Sequence, residues 1–336
     1  MEILLISVTF LFAAVCAGLM GFAIQRGATC TVAAMDEVVR KRKFSRLGSM
    51  FEASLWVLGG LLIAQTFHLL GKMPAGYAVT WATVLGGALL GIGAFVNGAC
   101  VFGAIARLGS GEWAYIVTPL GFYAGCLSAG AVFSVPVPEK LPFESSVLHA
   151  SALLALVFVA WMTWRIARAW LDARAKAPTA DVAACVRHAF AHRIWSPRGA
   201  TTMIGITFFF MLVLTGAWAY TDVLAELARG MADNLATRIL LVLALLLGAV
   251  IGGWTAGRFR HTRITLVQSA KCFAGGALMG LGSLLIPGGN DGLILVGMPL
   301  LWPYAWAAFL TMCVTIGAAQ WAQQALALQG EEQAVH

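Results

Sequence analysis

Two of the seven cysteines stand in matching surroundings. Cys30 follows Gly27-Ala28-Thr29 at the end of one long apolar run, and Cys100 follows Asn97-Gly98-Ala99 at the end of another. Gly27 is expected to end the first run as a helix, Thr29 to cap a new one, and Cys30 to fall in its first turn. Asn97-Gly98 breaks the second run, and Cys100 again opens a short apolar segment. A helix N-terminus presents unpaired N–H groups and the positive end of the helix dipole, which suits an anion and favours a thiolate. Two such thiols imply a stepwise route for a small sulfur-containing anion. Taken singly, either cysteine reads as a small buried hydrophobe; the shared setting is what argues for chemistry.

The other cysteines carry less. Cys16, Cys126, Cys272 and Cys313 fall inside helical runs, and Cys185 lies in a polar connection. No Cys-x-x-Cys or Cys/His ligand spacing occurs, so neither a metal site nor a cofactor is expected. His188, His192 and His261 sit among basic residues and read as solvated.

The elements that hold these thiols are membrane helices. Of 336 residues 60% are hydrophobic and only 11% charged, and mean hydropathy is +0.84; a soluble domain carries about twice that charge. Apolar runs near 3–22, 47–70, 79–96, 113–134, 147–171, 200–221, 235–257, 268–286 and 301–326 predict nine transmembrane helices. The first has no basic leader or small-residue cleavage site and reads as a retained helix.

Basic residues set the orientation. Of 22 Lys and Arg, eighteen fall after odd-numbered runs, and four (Lys72, Lys140, Arg229 and Arg238) fall on the other side. The positive-inside rule then puts the N-terminus outside and the C-terminus in the cytoplasm. The net charge of +7 is this topology signal and no sign of nucleic acid.

The chain also repeats itself. Gly86-Gly87-Ala88-Leu89-Leu90-Gly91-Ile92-Gly93 returns 189 positions later as Gly275-Gly276-Ala277-Leu278-Met279-Gly280-Leu281-Gly282, and the same offset pairs Leu58-Gly59 with Leu247-Gly248. Tight packing alone accounts for single glycines, but not for their return at one offset. An odd helix between two four-helix copies makes the repeats inverted, a layout that puts substrate near the bilayer midplane among broken helices. The expected fold is therefore an all-α polytopic membrane protein of one transmembrane domain over 1–336, with short broken or re-entrant helices. The first repeat is 1–134, a linker helix and cytoplasmic connection 135–199, and the second repeat 200–326.

The stretches Gly21–Cys30 and Gly91-Ile92-Gly93 through Gly98-Ala99-Cys100 with Gly103 resemble the YeeE/YedE sulfur-transport family, as does the nine-helix layout over most of the chain. The resemblance implies uptake of thiosulfate through a central route lined by cysteines on loops that dip into the membrane. The anion passes by S–H···S contacts without a lasting bond, and Cys30 and Cys100 match two such positions. The third family cysteine is missing. The repeat offset carries Cys100 onto Gly289, within Pro287-Gly288-Gly289-Asn290-Asp291-Gly292. Asp291 there reads as a cap for the short helix that follows, or as a functional intramembrane carboxylate.

The expected pathway is thus Cys30, Cys100, Gly98, Gly27, Asn97, Gly289, Asn290 and Asp291. The expected protein is an inner-membrane permease for thiosulfate or a related anion, with no catalytic residue. Its partners are the anion, the lipid bilayer and a small cytoplasmic sulfur-carrier protein docking near 172–199. A membrane-embedded thiol enzyme and an accessory subunit without a pathway are the alternatives.

Overall fold

The computed structural model describes residues 2–132, 136, 138–176, 194–230, 235–260 and 262–335. Regular structure among them is helical, apart from an isolated antiparallel bridge between Tyr77 and Lys140. The order is α1 (Glu2–Gly27), α2 (Thr31–Lys41), α3 (Ser45–Thr66), α4 (Trp81–Asn97), α5 (Val101–Gly109) and α6 (Val117–Val132). Then come α7 (Ala152–Lys176), α8 (Pro197–Thr215), α9 (Tyr220–Ala228), α10 (Leu235–Thr255) and α11 (Leu266–Leu285). A short α12 (Asn290–Gly292) runs on into a π-helical turn, Leu293–Gly297, and α13 (Pro303–Val335) completes the bundle. Residues 177–193, the polar connection that holds Cys185, His188 and His192, lie outside the described residues, as do His261 and 133–135.

Seven helices are long and apolar enough to cross a membrane, or eight if the pair α11–α12, bent by 51°, counts as one span. The run expected at 113–134 is not among them; α6 is described over Val117–Val132, and 133–135 lie outside the described residues. The apolar run continues upstream of α6, but residues Trp113–Ile116 are wound as a 3₁₀ turn instead.

The repeated glycines turn out to be one another's partners. A Cβ on Gly93 would lie 2.6 Å from the Gly275 carbonyl oxygen, and one on Gly275 would lie 2.6 Å from that of Gly93. Gly86 and Gly282 meet in the same mutual way, at 2.8 and 2.7 Å. In lipid no hydrophobic force drives helices together, so close backbone approach along small residues supplies the contact energy. The opposite flanks match as well: Gly87 and Gly91 press on Ala308 and Met312 of α13, while Gly276 and Gly280 press on Thr118 and Phe122 of α6.

Other contacts come in matching pairs. Helix α1 packs on α10 as α3 packs on α8, and α2 packs on α13 as α9 packs on α6. Numbered along the chain, α1–α6 correspond to α8–α13, with α7 left over. That helix packs on α3, where Arg165 pairs with the half-buried Glu52. Arg198 at the start of α8 also approaches Glu52, at 3.8 Å.

Candidate functional site

Four helix breaks converge inside the bundle, one at each of α1–α2, α4–α5, α8–α9 and α11–α12. At the first, Ala28 takes a left-handed turn (φ 47°) and Cys30 is extended (φ −160°, ψ 128°). Cys30 is thereby the N-cap of α2 itself, one position earlier than the sequence implied. Thr29, expected to cap, does not: its buried hydroxyl has no hydrogen-bond partner.

The second break is held by Asn97. Its Nδ2 donates to the Ala99 carbonyl at 2.7 Å, its Oδ1 accepts from Thr118 Oγ1 at 3.0 Å, and its backbone carbonyl accepts from Tyr115 OH at 3.2 Å. With its side-chain amide already engaged at both ends, Asn97 acts as a clamp on the turn. Gly98 reverses the chain at φ 72°, a conformation that strains any residue with a Cβ. Cys100 then emerges as the N-cap of α5, fully buried.

The fold brings the two thiols together. Cys30 and Cys100 interact directly through their side chains, and both are free. The backbone N–H of Thr31, first residue of α2, donates to Cys100 Sγ at 3.1 Å. Gly103 makes the room: a Cβ there would lie 3.0 Å from Cys30 Cβ and press on its sulfur. A cavity of about 370 Å³ reaches Cys30, Gly98 and Gly103 from a face where Arg46, Asp36 and Arg107 are partly exposed. Gln320 of α13 lines it too. That volume holds several waters at ~30 Å³ each, hence a small hydrated anion. Asp36 is paired with Arg40 at 2.6 Å and Arg107 with Glu112 at 3.3 Å.

The breaks at α8–α9 and α11–α12 have the same geometry without thiols. Gly216 (φ 80°) breaks α8, and Ala219 stands as the N-cap of α9 where Cys30 stands in α2. Gly288 (φ 124°) precedes Gly289, the N-cap of α12, where Cys100 stands in α5. Asp291 is buried, and its carboxylate receives backbone N–H groups at the start of its own helix, from Asp291 and Gly292. Its Oδ2 accepts from the backbone N–H of Thr221 at 3.1 Å and its Oδ1 from the Thr221 hydroxyl, so it caps α9 from across the bundle. Thr221 also fills the place of the missing thiol, since a Cβ on Gly289 would lie 2.6 Å from Thr221 Cβ.

Of the expected pathway residues, Cys30, Gly98 and Cys100 cluster beside the cavity. Asn290 joins them through Thr31, whose hydroxyl lies 3.5 Å from Asn290 Oδ1. Gly27 instead gives α8 its close approach, against Ala200. Sequence reasoning used Gly103 only within the family motif and passed over Thr31, Arg46, Gln320 and Thr221 as site residues, none of which has a distinctive neighbourhood in the chain. The α8–α9 break was readable, because the 189-residue offset carries Cys30 onto Ala219.

Broken helices meeting at their N-termini inside an apolar helical bundle are the build of a multi-pass membrane transport protein. The chain belongs to the Sulphur transport family, whose profile matches residues 26–318. It is similar to the thiosulfate transporter TsuA of Escherichia coli (strain K12), with 22% identity over 330 residues that cover 91% of this chain and 92% of that protein.

Proposed function

We propose that the chain is an inner-membrane permease that takes up thiosulfate or a closely related sulfur anion through the interface between two inverted repeats, 1–134 and 200–326. The observation that carries this reading is the apposition of Cys30 and Cys100 at two helix N-termini, at the end of a cavity bearing Arg46 and Arg107. Similarity to a thiosulfate transporter agrees with it.

In this reading the basic face is cytoplasmic, as the positive-inside rule requires, and the N-terminus lies outside. The anion arrives at the Gly289-Asn290-Asp291 break, passes to Cys100 and then Cys30, and leaves through the cavity. Each thiol donates S–H to the anion while N–H groups of α2 and α5 stabilise its charge. The two arginines draw it out. No covalent intermediate is needed, so substrate is delivered unchanged.

Uptake of ³⁵S-thiosulfate into proteoliposomes tests this. Accumulation of intact thiosulfate is the expected result. Release of sulfite or protein-bound persulfide would turn the reading toward a thiol enzyme, and absence of uptake for every sulfur anion would leave an accessory subunit.

A further inference from the structure

Asn290 has no solvent exposure, and its side-chain nitrogen has no hydrogen-bond partner. Buried donors left unpaired are destabilising, and those that persist usually serve a ligand or a water. The other end of the same amide is engaged: Oδ1 accepts from Thr31 Oγ1 at 3.5 Å. Thr31 in turn gives its backbone N–H to Cys100 Sγ at 3.1 Å. One threonine therefore ties an unspent amide donor from the second copy to the buried thiol of the first. The Thr31 hydroxyl also lies 3.8 Å from Met50 Sδ, a thioether that is a weaker acceptor for its one proton than the amide oxygen.

We infer that Asn290 is a specificity-determining residue of the pathway, its amide N–H binding an oxygen of the sulfur oxyanion while Cys100 contacts the anion's sulfur. The inference rests on the permease reading above. An amide N–H is a hard donor that pairs best with a compact oxygen bearing negative charge, and a thiol is soft and polarisable, suited to sulfur. A thiol in the place of Asn290 would accept sulfur and oxygen with little preference. The amide requires an oxygen. Thr31 holds the amide by its carbonyl end, so the N–H₂ group is left for the ligand.

The test is uptake kinetics in proteoliposomes with ³⁵S-thiosulfate as substrate and hydrosulfide, which has sulfur but no oxygen, as competitor. Asn290→Leu, close in shape and without a donor, should raise the KM for thiosulfate roughly tenfold to a hundredfold, the scale of one lost hydrogen bond to a charged group. Competition by hydrosulfide should stay at the parental level. Asn290→Ser, whose hydroxyl can still donate, should keep KM within a few-fold of the parent. Because KM does not depend on how many molecules are folded, a loss of abundance does not obscure the result. A parental KM in Asn290→Leu would overturn the assignment, as would equal weakening toward thiosulfate and hydrosulfide. A parent protein that transports none of these anions would remove the permease reading and this assignment together.

Discussion

Thr31 donates its backbone N–H to the sulfur of Cys100, 69 residues away, at 3.1 Å. Cys100 thus stands at two helix N-termini at once: it is the N-cap of α5 by position, and it accepts from the first amide of α2. A buried thiol that receives an N–H is prepared to share that donor with an anion.

Cys100→Ala should therefore reduce thiosulfate uptake roughly tenfold or more, the scale of a charged hydrogen bond, at unchanged membrane abundance. Cys30→Ala should weaken it less, since Cys30 is at the cavity where Arg46 and Arg107 also act. Cys126→Ala is the control: that thiol donates to the Gly280 carbonyl at 3.5 Å inside the α6–α11 seam, and its loss should hardly change uptake. Equal effects from all three would make the thiols packing groups.

Gly103→Ala tests the room made for Cys30. The added methyl meets Cys30 Cβ and sulfur, an overpacking that costs about 1–3 kcal/mol in a closed core. Uptake should fall, and maleimide labelling of Cys30 from the cavity side should change. Parental uptake and labelling would show that the α2–α5 contact yields easily.

Asp291 is expected to matter for stability through Thr221. Asp291→Leu strands two buried donors, the Thr221 N–H and hydroxyl, on the order of 1–3 kcal/mol each. Protein level should drop. Asp291→Asn keeps one carbonyl acceptor and should be near parental in abundance; altered anion preference in that variant would give the carboxylate a transport role instead.

Gly289→Cys alone should fold poorly, because Thr221 already occupies the space. Adding Thr221→Gly should restore abundance only in part, measured by quantitative immunoblot of membranes, because it relieves the clash but removes the hydroxyl that Asp291 accepts. If the single variant accumulates normally, the α9–α12 contact is looser than its geometry implies.

A reporter after His336 should be cytoplasmic and one before Met1 extracytoplasmic. Both termini on one side would break the inverted arrangement.

Much of this was legible in the chain because local rules write it there. Gly-rich breaks before Cys30, Cys100 and Gly289 follow from turn chemistry, and the glycine octet at 86–93 and 275–282 returns at a constant offset. What escaped notice is non-local. Asp291 sits where a cap for its own helix is expected, but its further partner Thr221 lies 70 residues upstream, and no window around either residue records that pairing. Asn97 has the look of a pathway residue, yet Thr118 and Ala99 take up its side-chain amide. The α8–α9 break lacks both cysteine and Asn-Gly, so only the repeat itself points to it. The 3₁₀ turn before α6 is equally silent, because Trp113–Ile116 is as apolar as the helix it precedes.

The seam between α4 and α11 has a mechanical consequence. Backbone rests on backbone at Gly86–Gly282 and Gly93–Gly275, while α4 also packs on α13 and α11 on α6. Two bodies interlocked in this way do not rock apart, since any tilt would drive carbonyl oxygens into neighbouring Cα atoms. On the permease reading, access is expected to alternate by small movements of the four break segments over this frame. A cysteine cross-link placed along the seam should leave transport running, and one that ties α2 to α5 should stop it. The protein in this view is a fixed aperture with moving lips, closer in kind to a gated pore than to a rocking carrier.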